Sequence, residues 1–248
     1  MIHYHGTPIG GSRQDTARFL IGRHALIPFG RQDDVGPVLE FCQSFVLDNG
    51  AFTHWKQGKG EIDFAAYQQW ANSLCRHPGF DWCLIPDIID GTEEDNVNWV
   101  MLWVRSGSKA KGVPVWHMHE SFDWLEYLIE NFETVALGSS GNYKSPGTMK
   151  WWHRIGEAMR IICDEKGRPK CRLHGLRMLD PEIFKRLPLA SADSTNAAVN
   201  SGSLSRFGIY TPATSSQRAA VIADRIEAHN SASIWSQHSY EQLDLMAI

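Results

Sequence analysis

Short apolar runs alternate with longer amphipathic stretches along most of this chain. The runs are His3–His5, Ala25–Phe29, Phe45–Leu47, Trp82–Ile85, Val113–His117, Thr134–Leu137, Arg172–Leu176 and Leu189–Ala192. Most are apolar throughout rather than at alternate positions, the pattern of strands covered on both faces. Helix signatures lie between them. Phe64, Tyr67, Trp70 and Leu74 recur at helical spacing behind a capping Asp63, and Val97, Val100, Met101 and Val104 follow the acidic Glu93-Glu94-Asp95. Phe122, Leu125, Leu128 and Ile129 follow Ser121, another capping residue, and Met149, Trp152, Met159 and Ile162 mark a further helix. Asp180-Pro181-Glu182 opens a short helix with proline at its first position, and 215–229 reads as the last one.

Eight strands alternating with helices, with no compositional break, predict a parallel sheet with crossover helices. Eight such units in 248 residues match a closed barrel. An open doubly wound sheet is the alternative, but no G-x-G-x-x-G turn or P-loop follows any strand. The expected fold is therefore α/β, a single-domain (β/α)8 TIM barrel over residues 1–248, with 231–248 as a C-terminal extension.

Charge narrows the partners. With 24 Lys+Arg against 28 Asp+Glu the net charge is −4, so a grip on nucleic acid has to be local. The 5 cysteines form no C-x-x-C pair, which argues against a disulfide framework or zinc ribbon and for reduced thiols. No basic segment followed by an apolar one opens the chain, and no apolar run approaches the ~18 residues that span a bilayer. A soluble cytoplasmic protein with no membrane partner is expected.

Barrel chemistry belongs at the C-terminal ends of the strands. There the sequence places Asp48, Asp87, His117, Gly138-Ser139-Ser140, His174 and Asp193. Two carboxylates facing one pocket suit glycosyl transfer, one as nucleophile and one as proton carrier. A third, acceptor-only, can read the N–H edge of guanine.

These residues carry a family resemblance in motif order over roughly residues 1–200. Phe45-Val-Leu-Asp48-Asn49-Gly-Ala-Phe52 resembles the Asp-Ser-Gly-Gly-aromatic segment of the tRNA-guanine transglycosylase superfamily. Ile85-Pro-Asp87 resembles its guanine-recognising strand end, and Val115-Trp-His117 lies where the family has Val-Gln-Gly. Leu137-Gly138-Ser139-Ser140-Gly141 resembles the Gly-Gly-Leu segment, Leu173-His174-Gly175-Leu176 the Leu-Met-Gly-Val strand, and Ala192-Asp193-Ser194 the nucleophile strand. The resemblance implies Asp193 as nucleophile and Asp48 as general acid/base. It implies Asp87, Phe52, Asn49, His117, Gly138, Ser139, His174 and Gly175 as the base pocket, with Phe52 as a stacking face.

The departures are specific. Residues 197–248 contain no cysteine, so the zinc subdomain of the tRNA enzymes is not expected, and no metal or cofactor is implied. His117 and His174 replace the family's glutamine and methionine. A compact zinc-free chain is more similar to the DNA 7-deazaguanine transglycosylases, including phage-encoded ones. Guanine-containing nucleic acid and a 7-deazaguanine base are the partners this implies. Lys144, Lys150 and Arg154, interleaved with Trp151 and Trp152, are the expected grip on the strand. Two other readings stand beside it. His3-Tyr-His5, His117 and Asp193 resemble the ligand set of metal-dependent amidohydrolase barrels. A nucleosidase or glycosylase that only releases guanine would use the same carboxylates with water as acceptor.

Overall fold

The computed structural model describes residues 1–9, 12–51 and 63–236. Among the described residues nine parallel strands form one sheet: β1 (Ile2–Gly6), β2 (His24–Pro28), β3 (Ser44–Asp48), β4 (Phe80–Leu84), β5 (Gly112–Val113), β6 (Val115–His117), β7 (Thr134–Gly138), β8 (Arg172–Gly175) and β9 (Ser191–Ser194). Their spatial order is β5-β4-β3-β2-β1-β9-β8-β7-β6. The two edges are pieces of one run. Pro114 has no N–H to give the ladder and splits 112–117 into β5, paired with β4, and β6, paired with β7. Pro114 still accepts from the Ala136 N–H at 2.9 Å, so the sheet closes on itself through this run as an eight-unit barrel.

Strand parity sorts the residues into two layers. Tyr4, Leu26, Val46, Trp82, Leu84, Val113, Val115 and Ala136 fill the barrel. Their neighbours Ala25, Ile27, Phe45, Leu47, Trp116, Val135, Leu137 and Leu173 pack outward against the helices. Both faces are dry, which is why the runs read as continuously apolar. The inward column of β3 runs Ser44, Val46, Asp48 and that of β6 runs Val115, His117, so each column ends on a polar group at the mouth.

The helices are α1 (Arg13–Leu20), α2 (Val35–Phe41), α3 (Phe64–Leu74), α4 (Glu93–Arg105), α5 (Phe122–Asn131), α6 (Met149–Ile162), α7 (Pro181–Phe184), α8 (Asn196–Asn200) and α9 (Ser215–Glu227). The expected caps hold: Asp63 accepts from Ala66 N, Ser121 from Trp124 N and Asp180 from Glu182 N. At α4 the cap is Thr92, with Asp95 closing a capping box, so the acidic run lies inside the first turn. The last strand starts at Ser191 rather than Leu189, because Leu189 N turns back to Leu187 O. The last helix stops at Glu227, two residues short of expectation.

From the expected extension, residues 231–236 lie across the N-terminal end of the barrel. Trp235 N donates to Gly167 O at 2.8 Å and Ser231 Oγ to Leu189 O at 2.7 Å; residues 237–248 fall outside the described residues. Among the described residues, no helix is long and apolar enough to cross a membrane.

Candidate active site

The three strand-end carboxylates do converge at the mouth, each in a different setting. Asp48 closes β3 and is partly buried. Burial pushes its carboxyl up, the negative charges of Asp193 and then Asp87 push it further, and the backbone N–H groups of Gly50 and Asn49 offset only part of this. The result is a carboxyl raised from 3.8 to about 7.

Asp87, three residues past β4, has one internal donor on each oxygen. Asn49 Nδ2 donates to Oδ1 at 2.6 Å and His117 Nε2 lies 2.8 Å from Oδ2. Asn49 is itself locked, donating to Ile85 O and accepting from Ala51 N, both at 2.8 Å. Burial alone would lower the His117 pKa. The hydrogen bond and charge of Asp87, with Glu120 behind, outweigh it and raise it. Each Asp87 oxygen keeps a second lone pair for a ligand.

Asp193 sits on the inward face of β9. Its Oδ1 accepts the Arg177 backbone N–H at 3.0 Å and lies 3.3 Å from His174 Nε2. Arg177 reaches that position by adopting φ 58°, a left-handed conformation that L residues rarely take. His174 is fully buried one layer below, wedged edge-on to Trp82 with ring centroids 4.7 Å apart, and its Nδ1 meets Ser191 Oγ at 2.9 Å. Both contacts of Asp193 use Oδ1. Among the described residues Oδ2 has no hydrogen-bond partner, which leaves one carboxylate oxygen for substrate.

Several expected site residues do other work. Trp151 is fully buried and its indole N–H donates to Ser139 Oγ at 2.9 Å, so it is a core residue and not a stacking face. The same bond turns the Ser139 hydroxyl toward the helix layer and away from the pocket. Arg154 is a strut. It donates to Met118 O at 2.8 Å and stacks over the Phe122 ring at 3.8 Å. A Cβ on Gly175 would fall 2.9 Å from Leu189 and Met178 atoms, which places that glycine against outer packing rather than at the pocket. Gly138 does face inward: a Cβ there would lie 3.1 Å from His117 Nδ1, so its bareness makes room for that ring. Lys144 and Lys150 are exposed, in the stretch that follows β7 and at the start of α6. Phe52 lies outside the described residues.

The histidine pair of β1 faces away from the mouth. His3 and His5 flank the inward Tyr4 and point out of the barrel, His3 to His229 O at 3.0 Å and His5 to Glu227 at 2.7 Å. They cannot join His117 and Asp193, which removes the first-strand ligands of the amidohydrolase reading. His119 binds Ser140 Oγ at 2.7 Å and Gly91 O at 3.0 Å. Among the described residues no three His, Cys, Asp or Glu side chains converge to hold a metal ion.

Sequence reasoning missed the supports. Glu120 is buried and accepts from His117 N at 2.8 Å and Asn96 Nδ2 at 2.7 Å; burial pushes its carboxyl up to about 6. Its signal was position, a carboxylate three residues past a strand-end histidine. Arg177 gave none, because it acts through its backbone N–H.

No protein-family model and no curated protein matches this sequence. Among solved structures it is similar to a Coccidioides immitis protein assigned as a fructose-1,6-biphosphate aldolase. The TM-score is 0.53 at 14% identity, over 91% of this chain and 89% of that one. Identity that low bears on the fold alone, and the fold it supports is the TIM barrel.

Proposed function

We propose that this barrel is a base-exchange glycosyltransferase that replaces guanine in nucleic acid, DNA before tRNA, by a 7-deazaguanine base. The observation that carries the reading is the contrast between two carboxylates at one mouth. Asp48 holds a proton up to about pH 7, whereas Asp193 accepts an N–H on one oxygen and presents the other. A carboxyl raised by its surroundings, beside a second one with an oxygen left open, suits the division into acid and nucleophile.

In the first half-reaction Asp193 Oδ2 attacks C1′ of the guanine nucleotide. The C1′–N9 bond breaks, and the Asp48 proton goes to the departing guanine. The sugar remains esterified to Asp193. The 7-deazaguanine base then enters, gives its N9 proton to the Asp48 carboxylate and attacks C1′. The C1′–Asp193 ester breaks, and two inversions leave net retention. Asp87, oriented by Asn49 and His117, accepts from the N–H edge of either base. A target base has to leave its stack to reach such a mouth, at a cost of about a few kcal/mol that single strands reduce. The exposed Lys144 and Lys150 supply local positive charge on that face.

The test is incorporation of labelled guanine or 7-deazaguanine into guanine-containing DNA and RNA oligonucleotides. Asp193→Asn should abolish incorporation and the covalent adduct seen by mass spectrometry. Near wild-type exchange by that variant would sink the reading. Guanine release without incorporation would make water the acceptor and the protein a glycosylase.

A further inference from the structure

The same face of the barrel carries an apolar rim that the base-exchange site does not use. It is built by the segment between β9 and α9. α8 turns Ala197 into the core, and Phe207 packs against the core as well, but Val199, Leu204, Ile209 and Tyr210 stand in solvent. Ile209 and Tyr210 are 90% and 87% exposed, among the most exposed large apolar side chains described, and they are adjacent. The segment is anchored. Arg218, on α9, donates to Ser201 O, to Pro212 O at 2.9 Å and to Ala213 O at 3.0 Å, gathering the loop at both ends.

Its charge is the second observation. Between Asp193 and Asp224 the sequence holds no acidic residue, in a chain with 28 of them, while Arg206 is exposed beside the apolar side chains. A segment that contributes no carboxylate of its own and carries an exposed arginine suits lying along a polyanion. An outward aromatic ring beside aliphatic side chains is the surface on which unpaired bases stack.

We propose that this rim, centred on Ile209 and Tyr210, docks the nucleotides flanking the target guanine of a single-stranded polynucleotide. Arg206 faces their phosphates, and a flanking base stacks on the Tyr210 ring. The proposal rests on the base-exchange reading for its choice of partner. It places the specificity for polynucleotide over free nucleoside in the segment that follows the nucleophile strand.

Fluorescence anisotropy with an end-labelled, guanine-containing single-stranded oligodeoxynucleotide tests it on the full chain. Tyr210→Ala should weaken binding about tenfold, and Tyr210→Phe should restore it, since stacking needs the ring and not the hydroxyl. The Tyr210 side chain is almost wholly in solvent, so folding is not at stake. Unchanged affinity in Tyr210→Ala overturns the docking surface. So does a self-association in sedimentation velocity that the same substitution abolishes, which would assign the rim to a second copy of the chain. The two readings separate cleanly. Wild-type exchange with a KM indifferent to Tyr210→Ala removes the docking surface and leaves base exchange standing. Tyr210-dependent binding without exchange removes base exchange and leaves the docking surface.

Discussion

Asp48 should cost the protein stability at the pH where it works. Its carboxyl is raised from 3.8 to about 7 in the folded chain, chiefly by burial and then by Asp193 and Asp87. In the unfolded chain it titrates near 3.9. Between those values the folded state holds a proton that the unfolded state has lost, so stability falls as pH rises. The full stability is present below about pH 4, declines through the window and reaches its lowest level above about pH 7. Moving a carboxyl that far corresponds to on the order of 4 kcal/mol, at about 1.4 kcal/mol per tenfold in proton affinity.

Asp48→Asn removes the charge at constant shape, and its amide oxygen can still accept from Asn49 N and Gly50 N. The variant should match wild type near pH 4, gain progressively to pH 7 and stay ahead at pH 8. A Tm rise of roughly 8–16 °C is expected there, at about 2–4 °C per kcal/mol for a chain of this size. Base exchange should be lost at every pH. Thermal denaturation across pH 4–8, with the oligonucleotide incorporation assay alongside, reads both effects. A stability difference independent of pH, or a wild-type Asp48 titrating near 4 by NMR, would refute the account.

Two further outcomes follow from other side chains. His117 should titrate above 6.5 by imidazole NMR in wild type, and Asp87→Asn should lower it, because burial is then opposed only by the charges of Glu120 and Asp90. A titration unmoved by Asp87→Asn would break the pairing that orients the Asp87 carboxylate. Trp151→Ala should cost roughly 3–5 kcal/mol in chemical denaturation and leave the oligonucleotide affinity of the folded protein unchanged, as a core residue requires; lost affinity at unchanged stability would return that ring to the binding surface.

The strands were legible because a barrel strand is dry on both faces, and every expected run contains or overlaps an observed strand. The carboxylates were legible for the same reason, since an Asp directly after Phe-Val-Leu or Ala-Ser-Ala has nowhere to sit but a strand end. α1 and α2 escaped notice. The buried apolar residues of α1 fall together at its end as Phe19 and Leu20, and α2 carries Gly36 and Pro37 in its first turn. In α6 the spacing itself separates core from surface. Trp151, Trp152, Ile155, Ala158, Met159 and Ile162 form one helical stripe, all buried, whereas Lys150 and His153 fall on the opposite face. The interleaving of tryptophan with basic residues is what an amphipathic helix looks like when its inner face is aromatic.

Parity accounts for the rest. Alternate residues of a strand face opposite ways, so Gly138 and Ser139 could not both line the pocket, and neither could His174 and Gly175. An H-x-H pair is guaranteed a common face but not the inner one. In β1 the residue between the histidines settles it. Tyr4 fills the barrel and hydrogen-bonds Asp81 at 2.6 Å, so His3 and His5 have to face the helices. Asp48 shares parity with the inward Val46, and His117 with the inward Val115. The polar residues gathered at the mouth are thus those whose inward parity coincides with a strand end, plus Asp87 just beyond one. That coincidence is a stricter filter than motif order, because it admits Asp48, His117 and Asp193 while rejecting Ser139 and Gly175 from other motifs of the same ordered set.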